Sequence, residues 1–181
     1  MPQDDSSADL AADVTQGSGL SAWQLRVAVV RHYRLVYRVA YGLLMDAHEA
    51  EDVTQEAFLR LWQRGGSVRG TREWLLTVAR NACLDRLRKR RDYSVAEPEE
   101  IDARSDGRDP AWHFDQKDLA CRLQALIGTL PEPQRSLIVL FDMHGQSGEA
   151  CSRILGLSVN QVKVYLHRAR RRLRRELEKS S

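Results

Sequence analysis

Long hydrophobic runs are missing from this chain of 181 residues. No apolar stretch approaches the ~18 residues that a membrane-spanning helix requires, which excludes insertion by such a helix. Basic residues are missing from the start. Met1–Gly19 carries Asp4, Asp5, Asp9 and Asp13 with neither Lys nor Arg, unlike a secretory leader, so a cytoplasmic protein is expected. Cysteine is sparse. Cys83, Cys121 and Cys151 are far apart, odd in number and without a Cys-x-x-Cys pair, which argues against a disulfide framework or a zinc cluster. Cys83 falls on the apolar stripe Leu76–Ala79–Cys83–Leu87 and Cys151 one turn before Leu155, so both read as small buried residues. No metal is assigned. Catalytic signatures are lacking too: there is no Gly-rich phosphate loop, no Ser-centred nucleophile elbow and no His-Glu-x-x-His. His32, His48, His113, His144 and His167 are scattered, and Glu49, Glu51, Asp52 and Glu56 read as one exposed helix face. An enzyme is not expected, and no cofactor is implied. Strand-type alternation and internal repeats are absent as well.

What the chain does have is charge, unevenly placed. Charged residues make up 29% and the net charge is only +3, but Lys163–Lys179 is dominated by Arg while the N-terminal stretch is acidic. Such separation suits a cationic face that meets a polyanion. The sequence predicts an all-α fold of two small helical domains joined by a flexible acidic linker. Residues 1–20 read as a disordered acidic tail, rich in Ser, Asp and Gly. In the first domain, 21–91, Val29, Tyr33, Val36, Ala40 and Leu43 form a helical stripe running to Met45. After a break at Asp46-Ala47-His48, a second helix runs from Glu49 to about Gln63, with Val53, Ala57 and Leu61 inward and Phe58 and Trp62 beside them. Arg64–Thr71, with three glycines and two arginines, reads as a mobile basic loop or as a bare connector. A third helix spans about Arg72–Arg90, with Thr77, Asn81, Asp85 and Arg88 along one face and a basic end that suits the helix dipole. Residues 92–111 are acidic and broken by Pro98, Gly107 and Pro110, the pattern of a linker. The second domain, 112–181, has a helix through Leu119, Leu123, Leu126 and Ile127 that stops at Gly128, then another from Gln134 to about Met143.

The last stretch is the most specific. Glu149–Leu155 is helical in pattern and is followed by a short turn, Gly156-Leu157. Ser158 then reads as an N-cap with Gln161 as its capping-box partner. Val159, Val162, Leu166, Ala169 and Leu173 make an apolar stripe, leaving Asn160, Gln161, Lys163, Val164 and Arg168 to face outward, with Arg170-Arg171-Arg172 behind. Two helices so joined look like a helix-turn-helix. Amides at the front of the second helix can pair with adenine edges, and guanidiniums with guanine or phosphate. A basic amphipathic helix that merely packs and dissolves would need the turn, cap and amide placement to coincide by chance.

Taken in order, these segments resemble the extracytoplasmic-function sigma factors of the sigma-70 family, small bacterial RNA polymerase subunits with region 2 and region 4 only. Ala50-Glu-Asp-Val-Thr-Gln-Glu-Ala-Phe-Leu-Arg-Leu-Trp62 is similar to region 2.2, and Arg72–Arg91 to regions 2.3 and 2.4. Leu130-Pro-Glu-Pro-Gln-Arg135 with Ile154–Arg170 is similar to region 4. The resemblance covers roughly residues 25–91 and 115–177. It implies that Asp52, Gln55 and Glu56 grip a coiled coil of the polymerase β′ subunit, where carboxylates and an amide can pair with basic and polar side chains. It implies that Asn81, Asp85 and Arg88 face the promoter's −10 element. The loop with Arg64 and Arg69 would close on a base flipped from the non-template strand, and Trp74 would either stack at the bubble's edge or belong to the core. In region 4, Asn160, Gln161, Lys163, Val164 and Arg168 would face the −35 element, with Arg171 and Arg172 near phosphates. The implied partners are core RNA polymerase (β′ and β subunits), promoter DNA and an anti-sigma factor. Three departures stand out. Gly148 replaces a common aromatic, Ala150-Cys151-Ser152 replaces a more usual acidic, aliphatic and Ala run, and Val68 stands where Phe is frequent. Gly inside a helix costs about 1 kcal/mol against Ala, so a weaker first helix of the motif is expected.

Magnitudes explain why a partner is needed. Opening roughly a dozen base pairs at about 1.4 kcal/mol per step costs on the order of 15 kcal/mol. A specific DNA-binding protein at about 10⁻⁸–10⁻¹¹ M has only about 11–15 kcal/mol in all. Two small modules therefore cannot hold a bubble open alone. The rival readings are a stand-alone helix-turn-helix regulator of duplex DNA and a degenerate sigma-like adaptor.

Overall fold

The structure is a computed structural model that describes residues 20–64, 70–96 and 114–179. The described residues form seven α-helices and one π-helical segment, with no strand among them: α1 Ala22–Leu44, α2 Ala47–Arg64, α3 Thr71–Ala96, α4 Phe114–Gly128, α5 Gln134–Leu137 continuing as the π segment Ile138–Met143, α6 Gly148–Leu155 and α7 Val159–Lys179. The all-α expectation holds. The tail 1–19, most of the linker (97–111) and the loop residues 65–69 lie outside the described residues.

Local chemistry fixes the helix ends. α1 opens on a capping box, with the Gln24 amide donating to Ser21 Oγ and the Ser21 amide to Gln24 Oε1. It closes at Met45, a left-handed residue (φ 60°) whose N–H donates to Tyr41 O at 2.8 Å. Asp46 Oδ1 then accepts from the Glu49 amide at 2.9 Å, so α2 starts two residues before the sequence suggests. α3 continues to Ala96, past the expected end near Arg90 and into the first residues assigned to the linker. Residues 91–96 contain neither Gly nor Pro, and Pro98 is the first residue that must stop the helix, by disfavouring α geometry at the position before it.

In the first module Val36, Val39, Ala40 and Leu43 of α1 bury against Val53, Ala57 and Leu61 of α2 and Leu75, Leu76, Ala79 and Cys83 of α3. In the second, Ile127, Leu130, Leu137, Leu140, Cys151 and Ile154 surround Val162, Leu166, Ala169 and Leu173 of α7. Each large aliphatic buried in this way contributes roughly 1.5–3 kcal/mol. The two cores form one continuous cluster, because α1 touches the π segment and α3 touches α6. Val159, expected on the stripe of α7, is instead 41% exposed at the first position of the helix. Trp62 is likewise half exposed. Gly148 is the first residue of α6, not an interior one, and Ser147 caps that end by accepting from the Ala150 amide at 3.1 Å. The expected weakening of α6 therefore does not arise: Gly is costly in helix interiors and tolerated next to the cap.

Candidate nucleic-acid and polymerase interfaces

The α7 surface is built from its cap upward. Gly156, at φ 67°, ends α6 in a conformation that glycine adopts without strain, and the chain turns into Ser158. The Gln161 amide donates to Ser158 Oγ at 3.1 Å, and Gln161 Oε1 accepts from the Ser158 amide at 2.8 Å. The capping box read from the sequence is present, and it takes up Gln161's carbonyl oxygen, leaving only the side-chain NH₂ to point outward. With Val162, Leu166, Ala169 and Leu173 buried, helical geometry puts Asn160, Gln161, Val164, Arg168 and Arg171 on the opposite side and Lys163 and Arg172 at its two borders; all seven are exposed. The four cations among them (Lys163, Arg168, Arg171, Arg172) have no ion pair among the described residues. Arg170 differs. Its guanidinium makes two bonds to the Asp142 carboxylate and lies 5.6 Å from the Phe141 ring centroid, tying α7 to the π segment. The hydrogen bonds to Asp142 hold its pKa above the usual arginine value.

On α3, Asn81, Asp85 and Arg88 are exposed along one face. Arg88 pairs with Asp85 at 3.4 Å, one helical turn apart. Trp74 is half-buried against the core while the Arg64 guanidinium lies 5.4 Å from its ring centroid, so core packing and a cation–π contact coexist there. Arg69 lies outside the described residues. Arg80, which the sequence does not single out, donates to Ser136 Oγ (2.9 Å) and Glu132 Oε2 (3.2 Å) across the seam between the modules.

On α2, Asp52 and Gln55 are exposed and Glu56 is partly so. Arg86 of α3 reaches both carboxylates, at 3.7 Å to Asp52 and 4.0 Å to Glu56, and donates to Glu49 O at 3.0 Å. Arg60 holds the other side of Glu56 at 2.5 Å, and Arg90 pairs with Glu49 at 2.8 Å. The basic end of α3 is thus partly neutralised by α2, a pairing hidden from the sequence because the partners are 30 or more positions apart. Gln55 borders an apolar groove of about 290 Å³ lined by Leu25, Val29, Tyr33, Phe58, Leu59 and Trp62. A second groove of about 530 Å³ runs between α4, the π segment and α7, past Leu123, Ile138, Met143 and Leu177. Cys83 and Cys151 are buried, and desolvation pushes their thiols up to about 12 and about 11, so neither is a thiolate near neutral pH. No group of His, Cys, Asp and Glu able to hold a metal occurs among the described residues, and none of their helices is long and apolar enough to cross a membrane.

An acidic and polar patch on one module, a helix with an exposed amide in the same module, and a capped cationic helix in the other are the surfaces a transcription-initiation subunit would present. Comparison with known proteins agrees. The models for Sigma-70 region 2 and Sigma-70, region 4 match residues 28–93 and 122–173. The chain is 34% identical over 185 residues to the ECF RNA polymerase sigma factor SigE of Mycolicibacterium smegmatis, covering 99% of this chain and 71% of that one. It is also 34% identical over 154 residues to SigW of Bacillus subtilis, covering 78% and 82%. Among solved structures, CnrH in complex with the cytosolic domain of CnrY superposes with a TM-score of 0.66 at 25% identity, over 88% of this chain and 90% of that one. The chain belongs to the ECF RNA polymerase sigma factors, a family whose members are not normally enzymes.

Proposed function

We propose that the protein loads onto core RNA polymerase through α2 and directs promoter-specific initiation, with the first module (21–91) at the −10 element and the second (112–181) at the −35 element. What supports this reading is the α7 surface: exposed amides at the capped start and exposed cations without ion pairs behind, in a chain that also presents the region 2 patch. Asn160, Val164 and Arg168 read base edges and Arg171, Arg172 and Lys163 meet phosphates. Gln161 contributes through its NH₂ only. Asp52, Gln55 and Glu56 take basic and polar side chains of the β′ coiled coil, with the neighbouring groove adding apolar contact. Asn81, Asp85 and Arg88, with the Arg64–Trp74 pair and Arg69, serve the −10 element and its melting. Residues 92–111 tether the modules, and the protein works in the cytoplasm. From the family resemblance, a cognate anti-sigma factor covers these surfaces. A stand-alone regulator would need no polymerase-binding patch.

The test is in vitro transcription with core polymerase on a genomic promoter library, alongside pull-down of core by wild type and Asp52→Arg. Specific initiation by wild type and lost core binding by the variant are expected. A chain that neither binds core nor starts transcription would sink the proposal.

A further inference from the structure

The outer face of α1 has no part in any of the roles above. The helix, Ala22–Leu44, contains four arginines and no acidic residue. Arg26, Arg31, Arg34 and Arg38 are all exposed, and none has an ion pair among the described residues. That sets them apart from Arg60, Arg80, Arg86, Arg88 and Arg90 of the same module, each of which faces a carboxylate. Helical geometry turns Arg26, Val30, Arg34 and Arg38, at four-residue spacing, away from the buried Val36, Val39, Ala40 and Leu43. Val30 is 80% exposed and Trp23, on the same face, 72%, more than any other large hydrophobic side chain among the described residues. The face is therefore cationic and apolar together, a strip about 30 Å long from Ser21 to Tyr41.

We propose that the acidic N-terminal segment of this same chain docks along the strip, its aspartates on the arginines and its Leu10 and Val14 on Val30 and Trp23. Docked there, it withholds the four arginines from polyanions that carry no sequence the protein reads. The inference stands apart from the sigma factor reading, because it concerns a surface that reading leaves unused. Charge carries it first. Residues 1–19 hold Asp4, Asp5, Asp9 and Asp13 without a Lys or Arg, against four arginines without an acid in α1. The spacing agrees: Asp5, Asp9 and Asp13 recur every four residues, and Leu10 and Val14 each follow an aspartate. Carboxylates and aliphatic groups thus come together, as the strip requires. A DNA backbone would satisfy the guanidiniums but leave Val30 against phosphates. Reach is sufficient, since residues 4–20 span about 25 Å as a helix and up to about 60 Å extended, so either form passes Arg34. The segment is also tethered at the first turn of α1, which gives it an effective concentration in the millimolar range. Carboxylate–guanidinium pairs that are individually weak in water then hold it in place, and salt loosens them.

The test uses the full chain, isotope-labelled for NMR, with Cys121→Ser to remove the exposed thiol and Tyr41→Cys to carry a nitroxide at the far end of the strip. An undocked segment has a root-mean-square span of roughly 22 Å from an anchor about 30 Å from Tyr41, so its amides stay sharp. Docking should broaden the amides of Asp4 to Asp9 to less than half their intensity at low salt. The broadening should vanish in about 0.5 M salt. It should vanish as well when Arg26→Gln, Arg31→Gln, Arg34→Gln and Arg38→Gln are combined, with melting by circular dichroism to check the fold. Deleting residues 1–19 should raise the affinity for promoter-free duplex DNA about fivefold, and only while the four arginines are present. Sharp amides at low salt, broadening that survives both salt and arginine replacement, or a deletion that brings no arginine-dependent gain would overturn the proposal. Sharp amides together with duplex binding by the full chain through these four arginines would make the strip a nucleic-acid surface instead.

Discussion

The two basic helices of this molecule handle their charge in opposite ways. On α7 the outward cations Lys163, Arg168, Arg171 and Arg172 have no carboxylate beside them among the described residues, whereas Arg170 is tied to Asp142 and, at the far end, Lys179 to Glu176. On α3 the pairs are many: Arg80 with Glu132, Arg86 with Asp52 and Glu56, Arg88 with Asp85, and Arg90 with Asp46 and Glu49. An unpaired cation is ready for phosphate and costs nothing to release. A paired one must exchange its carboxylate, so its net gain on DNA is smaller and its engagement is conditional. The helix assigned to −35 is therefore primed, and the helix assigned to −10 becomes available through partner exchange. This asymmetry suits a protein whose upstream anchor can act early while melting waits for polymerase.

The sharpest break of this comparison comes from α2. Asp52→Arg places a second cation beside Arg86 and reverses the charge of the patch proposed to meet polymerase. Core affinity measured by fluorescence anisotropy should fall by about 100-fold, the size seen when a close charge pair at an interface is inverted. Unchanged affinity would mean that the Asp52–Glu56–Arg86 cluster is only internal scaffolding. Next in size is Arg168→Ala. Losing a bidentate base contact is worth about 1–3 kcal/mol, so −35-dependent promoter binding should weaken by roughly 10-fold and relax at one base position. A loss of equal size on every promoter sequence would move Arg168 to the phosphate-contacting set.

Much of this was legible because the signals are local. The Ser158–Gln161 capping box, the turn at Gly156 and the α7 stripe all depend on residues within one or two turns, and the structure reproduces them apart from the exposed first position, Val159. Helix existence followed from apolar periodicity in the same way. What was not legible depends on distant pairs. Nothing in the sequence singles out Arg80, because its partners are 52 and 56 positions away. The close approach of the π segment to α1 at Gly42 depends on Val139, which lies 97 positions further along the chain. Arg86 and Arg90 read as a dipole-complementing helix end, because nothing in their own helix announces the α2 carboxylates. The extension of α3 to Ala96 was missed because composition, not the first obligatory breaker, set the boundary.

A finer test contrasts neighbours on α7. Arg170→Ala removes the bond to Asp142. With half the Arg170 side chain exposed, this should cost no more than about 1 kcal/mol of stability, seen as a small drop in melting temperature, and leave the salt dependence of promoter binding unchanged. Arg171→Ala should do the reverse, with no change in melting but a salt slope reduced by about one. If the two variants behave alike, the division of α7 into a tied and a free side is wrong.

The smallest expected effect concerns pH and the seam. His144, just after the π segment, has its pKa lowered from the ordinary value of 6.5 mainly by burial, with the Arg38 charge of α1 adding to this and a hydrogen bond to the Arg38 backbone opposing it. Its Nε2 is buried without a partner. The imidazole is therefore easier to protonate once this packing is lost, and the unfolded chain binds more protons below 6.5. By linkage, His144's contribution to stability is complete above pH 6.5 and declines as pH falls from there through its lowered value. Glu73 acts in the same direction at lower pH. The bond from its own backbone amide, then that from Arg153, lowers its pKa from 4.5, so its contribution fades as pH falls below 4.5. The melting temperature should thus begin to fall between pH 6.5 and 5.5 in wild type. His144→Asn keeps a polar side chain but cannot titrate, and should remove that first fall while leaving the one below pH 4.5. A first fall that survives in His144→Asn would assign it to another group and detach His144 from the pH dependence of the fold.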